Sequence, residues 1–146
     1  MSEDILDRSS VVEAGTASTR EGAIREAGRI LVDAGAVLPG YVDAMLARES
    51  TVSTFMGNGL AIPHGTNDAK DEIVNSALSF IRYASPIDWD GDQVNFVVGI
   101  AGRNNEHLEI LSKIAILFSE EDEVQSLVEA ADADELFAIL QDVNAE

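Results

Sequence analysis

The sequence predicts an α/β fold in a single domain covering residues 1–146. Three observations lead there. Helical and strand-like periods alternate along the chain, and the run from Val94 to Ala101 is apolar almost without interruption, as in a strand covered on both faces. A chain of 146 residues can also bury roughly two thirds of its unfolded surface, enough to fold without disulfide or metal. No internal repeat, low-complexity segment or linker divides it.

Each element has its own signal. Ser18-Thr19-Arg20-Glu21 has capping-box spacing, and Ile24, Ala27, Leu31 and Ala34 follow at helical intervals before Gly35, which predicts a helix over about Thr19 to Ala34. Pro39 opens a second helix with Val42, Met45 and Leu46 inward and Arg48-Glu49 at its end. Thr51 to Met56 reads as extended, Gly57-Asn58-Gly59 as a turn or bulge, and Leu60-Ala61-Ile62 as a brief strand where Pro63 should end the pairing. Ser76 to Tyr83 is a strand, with Leu78 and Phe80 on one face and Ala77 and Ile81 on the other. Asp90-Gly91 marks a hairpin-like turn into the central strand Val94 to Ala101. Gly102-Arg103-Asn104-Asn105 then leads into a helix with His107 in its first turn and Leu108, Leu111, Ala115 and Phe118 as its apolar stripe. Two short helices close the chain, one around Val124, Leu127 and Val128, the other capped by Asp132 or Asp134 and carrying Leu136, Phe137 and Leu140.

Composition excludes several classes of function. Twenty-seven acids against nine bases give a formal charge of −18, which argues against nucleic acid as a partner. Residues 106 to 146 hold twelve of the acids and one base, Lys113, with Glu120-Glu121-Asp122-Glu123 as the densest run, either a solvated helix junction or a dock for a basic partner. Only Lys70 and Lys113 are lysines, a composition shared by proteins of salt-rich cytoplasms and by ordinary acidic bacterial proteins. The absence of cysteine removes thiol nucleophiles, redox pairs and zinc ribbons. No apolar run reaches 18 residues and Met1-Ser2-Glu3-Asp4 is acidic, so a soluble cytoplasmic protein without membrane insertion is expected.

The two histidines, His64 and His107, fall where apolar runs give way to a loop or a helix, the place where α/β folds gather reactive groups. A neutral imidazole can accept a phosphoryl group and surrender it, provided that its ring is held in one tautomer and one direction. Pro63 would stiffen the approach to His64, and Gly65 would leave room for a phosphate. If Val94 to Ala101 lies beside Leu60 to Ile62, then His64, the turn with Asn104 and Asn105, and His107 meet at one sheet edge beside a helix N-terminus. Arg48 is the base nearest in sequence before the segment leading to His64. Chemistry alone leaves bland roles open: a satisfied loop histidine for His64, a surface residue for His107, and macrodipole compensation for Arg48. Neither histidine has metal-ligand spacing, so no metal and no cofactor are expected.

Three separated segments carry a resemblance: Tyr41-Val42-Asp43-Ala44-Met45-Leu46-Ala47-Arg48-Glu49, the block Gly57 to Thr66 followed by Ala69-Lys70-Asp71, and Gly99-Ile100-Ala101-Gly102-Arg103-Asn104-Asn105-Glu106-His107. In this order they are similar to the phosphotransferase-system EIIA domains of the mannitol/fructose type, closest to the mannitol branch. Ile87-Asp88-Trp89-Asp90-Gly91 looks more like the fructose branch, and the first 18 residues and the acidic tail match weakly. The resemblance implies a mixed central sheet with helices on both faces. It also implies a phosphoryl relay, in which an HPr-type histidine phosphocarrier loads His64 and a IIB domain of a sugar permease unloads it. His64 then matches the phosphorylated histidine, His107 the second active-site histidine, and Arg48 the arginine that neutralises the phosphoryl group, with Pro63, Gly65, Asn104 and Asn105 in support. A regulatory nitrogen-type IIA protein shares the Ile-Pro-His core, and a non-catalytic acidic binding module with structural histidines is the alternative from another class. Because salt screens a distributed charge, docking is expected on apolar contacts near His64, with Phe55, Met56, Leu60 and Ile62 nearest in sequence.

Overall fold

Thr19 opens the first helix, α1 (Arg20–Asp33), by accepting a hydrogen bond on its side chain from the Gly22 N–H. The capping-box reading is therefore shifted by one residue: Thr19 is the N-cap, and Glu21 pairs instead with Arg25 one turn on at 3.0 Å. At the other end Gly35 has φ +77°, and the bonds Gly35 N–H to Val32 C=O and Ala36 N–H to Leu31 C=O form a Schellman closure. The computed structural model describes residues 6, 8–51, 53–57, 59–65, 71–89, 91–102 and 106–141, the side chains of Glu106 and His107 excepted.

The remaining elements are β1 (Val11–Val12), α2 (Gly40–Thr51), β2 (Phe55–Gly57), β3 (Leu60–Ala61), β4 (Ala77–Trp89), β5 (Asp92–Ala101), α3 (Glu106–Ser119), α4 (Glu121–Glu129) and α5 (Ala133–Leu140). The strands form one mixed sheet in the order β1-β4-β5-β3-β2, with β1 parallel to β4, β5 parallel to β3, and the other two pairings antiparallel. β5 is central, as its apolar run predicts. Val97 and Ala101 face α1 and α2, whereas Phe96, Val98 and Ile100 face α3, α4 and α5, so helices cover both faces. The N–H groups of Asn95 and Phe96 both bond to the Gly59 carbonyl, at 2.8 and 2.9 Å. This bulge explains why Val94 and Phe96, two residues apart, belong to opposite core layers.

Several boundaries differ from the sequence reading. α2 continues through Thr51, so the extended segment shrinks to Phe55–Gly57, and β4 runs six residues past Tyr83 to Trp89. Asp90 of the hairpin turn and Asn58 lie outside the described residues, while Gly91 has φ +100°. On α3 the buried face is Ile110, Ile114, Leu117 and Phe118; Leu108 of the predicted stripe is 60% exposed. α3 carries apolar residues around most of its circumference, so periodicity underdetermines its inward face. Val128 is likewise exposed, and Asp132 rather than Asp134 caps α5 by accepting from Glu135 N–H. The acidic run occupies the first turn of α4, where the helix dipole favours it, and Arg82 of β4 caps the far end through the carbonyls of Leu127 and Ala130.

The segment before α1 has no clear periodicity, yet Leu6 and Val11 are buried and β1 extends the sheet. Glu26 of α1 secures the stretch that follows, accepting hydrogen bonds from Thr16 N–H, Thr16 hydroxyl, Ala17 N–H and the Tyr83 hydroxyl. Burial by itself would raise the Glu26 pKa, but these donors outweigh it and hold the carboxyl below the ordinary range. A depressed folded-state pKa stabilises the protein above the usual carboxylate range, and that contribution is lost as pH falls through the folded value. Thermal melts should therefore show stability declining at acid pH, with a shallower acid limb in Glu26→Gln than in the wild type.

Candidate active site at the end of β3

Strand β3 delivers the chain to His64. Leu60 and Ala61 pair with Phe96 and Val97 of β5, and Ile62 N–H donates to the Thr54 carbonyl at 3.1 Å. Pro63 is expected from the sequence to end the pairing, because it has no N–H. It interrupts only its own donor side: its carbonyl accepts from Ile100 N–H at 3.0 Å, and His64 makes one further parallel bridge to Ile100. The chain past Pro63 thus stays registered on the central strand.

His64 is half-buried, and its Nδ1 lies 2.9 Å from the Ile62 carbonyl oxygen. A carbonyl can only accept, so Nδ1 carries the proton and the neutral ring has its lone pair on Nε2. Tyr41, buried near the start of α2, donates its hydroxyl to the Ile100 carbonyl at 2.7 Å and accepts from Gly65 N–H at 2.9 Å. Burial raises the pKa of this phenol, and the Gly65 N–H opposes the rise. A Cβ on Gly65 would stand 2.5 Å from a Tyr41 ring carbon, so the space left by glycine here is filled by that ring.

Arg48 is half-buried in the last turn of α2. Seven residues after Tyr41, it lies within about 20° of the same helix face and roughly 10 Å further along the axis. Its neighbour Glu49 is buried among polar donors: Thr54 N–H, the Thr54 hydroxyl and Trp89 Nε1–H all bond to its carboxyl group. Trp89 is fully buried, so the tryptophan of the fructose-like motif serves the core and the Glu49 site. His107 has its backbone at the second position of α3, the helix that follows β5, but its side chain, together with Asn104 and Asn105, lies outside the described residues. Of the four apolar residues nearest His64 in sequence, Leu60 and Ile62 are core and Phe55 packs partly against it; Met56 is 48% exposed. Among the described residues, no group of three His, Asp or Glu side chains could hold a metal ion, and no helix is long and apolar enough to cross a membrane.

Tyr41 and Glu49 escape the sequence reading as polar anchors. The available signal is their spacing, since Tyr41, Met45 and Glu49 recur at i, i+4 and i+8, which puts two polar side chains on the buried face of α2.

The structure thus defines an α/β domain: a mixed five-stranded sheet layered by helices, with a half-buried histidine at the end of a strand beside the central one. Residues 4–143 match the family described as "Phosphoenolpyruvate-dependent sugar phosphotransferase system, EIIA 2", and the chain belongs to that family. The mannitol-specific phosphotransferase enzyme IIA component of Halalkalibacterium halodurans is 48% identical over 144 residues, 99% of each chain. The crystal structure of IIA mannitol from Escherichia coli superposes with a TM-score of 0.85 at 34% identity, covering 92% of this chain and 97% of that one. A chain of the complex of enzyme IIAMTL and phosphorylated enzyme IIBMTL from Escherichia coli gives a TM-score of 0.84 at 34% identity, with 90% of this chain and 94% of that one covered.

Because Glu49 takes three buried hydrogen bonds, Glu49→Ala would leave three donors without a partner and open a cavity. Urea denaturation should show a loss on the order of 3 kcal/mol or more.

Proposed function

We propose that this chain is the EIIA component of a sugar phosphotransferase system, one domain over residues 1–146 that takes a phosphoryl group from an HPr-type histidine phosphocarrier and passes it to a IIB domain. The observation that carries the reading is the bond from His64 Nδ1–H to the Ile62 carbonyl, which directs Nε2 as the nucleophile. In the transfer a P–N bond forms at His64 Nε2 as the bond between phosphorus and the carrier's nitrogen breaks, and the carrier's ring departs as free imidazole. His64 keeps its Nδ1 proton, and the Ile62 carbonyl steadies the positive charge that develops on the ring. The step reverses in form when the IIB acceptor attacks the same phosphorus.

Phosphoryl transfer depends on positioning and on positive charge near the three equatorial oxygens. A chain at −18 has to supply that charge locally, and Arg48 and His107 are the residues proposed for it, with Pro63, Gly65, Asn104 and Asn105 shaping the site. The transport branch is favoured over the nitrogen-type regulatory one, since the relative matched over 99% of both chains is a mannitol-specific component. Mannitol is accordingly the proposed sugar, and cytoplasmic delivery to a membrane-bound permease the proposed setting.

His64→Ala should fold and take no label when incubated with phosphoenolpyruvate and the upstream carriers. Stoichiometric phosphate on that variant would sink the assignment. Arg48→Ala and His107→Ala should each still be labelled, but with transfer slowed on the order of tenfold or more, as expected when one preorganised donor is removed. Rapid-quench rates equal to wild type in either variant would remove that residue from the site.

A further inference from the structure

A side chain takes part in the second rung of the bridge between His64 and Ile100. A parallel bridge of this register joins Ile100 N–H to Pro63 C=O and Gly65 N–H to Ile100 C=O. The first bond is present at 3.0 Å. At the second, both backbone groups bond to the Tyr41 hydroxyl, which accepts from Gly65 N–H at 2.9 Å and donates to Ile100 C=O at 2.7 Å. The ring behind that hydroxyl is 2% exposed and occupies the space a Cβ on Gly65 would need.

We propose that Tyr41 is a positioning residue for phosphoryl transfer, a wedge whose hydroxyl sets the spacing between the His64 segment and the end of β5. The proposal rests on the reading of His64 as acceptor. His64 is held from both sides by backbone: Ile62 C=O fixes Nδ1, and Gly65 follows the histidine directly. The direction of Nε2 is therefore set by the path of the chain from Ile62 to Gly65. Ile100 stands two residues before Gly102, on the strand that leads into α3, so the same hydroxyl ties together the segments that carry the two histidines.

Loss of the hydroxyl would leave Gly65 N–H and Ile100 C=O as natural partners for each other. They already face each other across the bridge, so the backbone groups stay paired at little cost. What changes is geometry: a shift on the order of 1 Å at a reacting group can cost up to about 100-fold in rate. A residue that merely stabilised the fold would not act in this way. The burial that raises the phenol pKa keeps the hydroxyl protonated, and so able to donate, through the neutral range.

Tyr41→Phe tests the proposal in a rapid-quench assay with radiolabelled phosphocarrier and the purified chain. The expected result is a cooperatively folded variant whose kcat for transfer falls about tenfold or more, with KM for the carrier within about twofold of wild type. Long-range proton–nitrogen spectra of His64 should show the Nδ1–H tautomer in the wild type and a mixture in the variant. Gly65→Ala disturbs the same contact from the other side and should also lower kcat, so it decides the matter if Tyr41→Phe fails to fold. Tyr83→Phe, which removes the Glu26-bound hydroxyl, should leave kcat unchanged. Equal rates in wild type and Tyr41→Phe, or an equal slowing by Tyr83→Phe, would overturn the proposal while leaving His64 as acceptor. A wild-type chain that takes no phosphate on His64 would overturn that reading and this one together.

Discussion

Parallel pairing of β3 with β5 is the contact on which the site depends. β5 is buried on both faces, so its backbone groups can be satisfied only in the plane of the sheet, by β4 on one side and by β3 on the other. β3 is just two residues long, and it keeps its place because Ile62, Pro63 and His64 continue to engage neighbours after regular pairing has stopped. A histidine at that point is attached to the strand covered on both faces, while the histidine itself is half-buried. The phosphoryl transfer proposed for His64 calls for that combination, since a carrier must be both reachable and fixed in direction.

Helix α2 supports the arrangement from one side of the sheet. Its buried face carries two polar side chains, Tyr41 and Glu49, eight residues apart, with Met45 between them. Tyr41 engages the chain just after His64, and Glu49 holds Thr54, whose carbonyl receives the Ile62 N–H just before it. Buried polar groups cost stability unless every one is paired, and these are, which turns the helix into a template for the loop. Arg48 shares that helix, so the same packing that shapes the loop also sets where its guanidinium begins.

The surplus of negative charge is distributed by local rules. Glu121, Asp122 and Glu123 lie at the N-terminal turn of α4, where the macrodipole favours them, and α5 likewise starts with acids behind its Asp132 cap. Arg82, one of nine bases, is occupied by the carbonyls at the end of α4 and by that of Glu13. These placements account for the acidic run as part of helix structure and do not require it to be a dock for a basic partner.

The sequence by itself determined the fold class, the central strand, both ends of α1 to within a residue, and the two histidines as the reactive candidates, because these follow from periodicity, caps and residue chemistry that are local in the chain. It also supported the family, through motifs separated along the chain but each contiguous. What it left open were features made by contacts between distant residues. The N-terminal strand β1 has two residues and no period of its own, and it exists only because β4 offers it an edge. The inward face of α3 differs from the predicted stripe because that helix is apolar around most of its surface, so only the sheet against it selects Ile110 and Ile114 over Leu108. Tertiary structure decided the path of the segment that carries His64, since the Tyr41 hydroxyl beside it reaches Ile100 across 59 residues of sequence. Gly65 reads in sequence as room for a ligand, and in the folded protein that room belongs to the Tyr41 ring: whether a missing side chain leaves space depends on what packs against it, which no local pattern records.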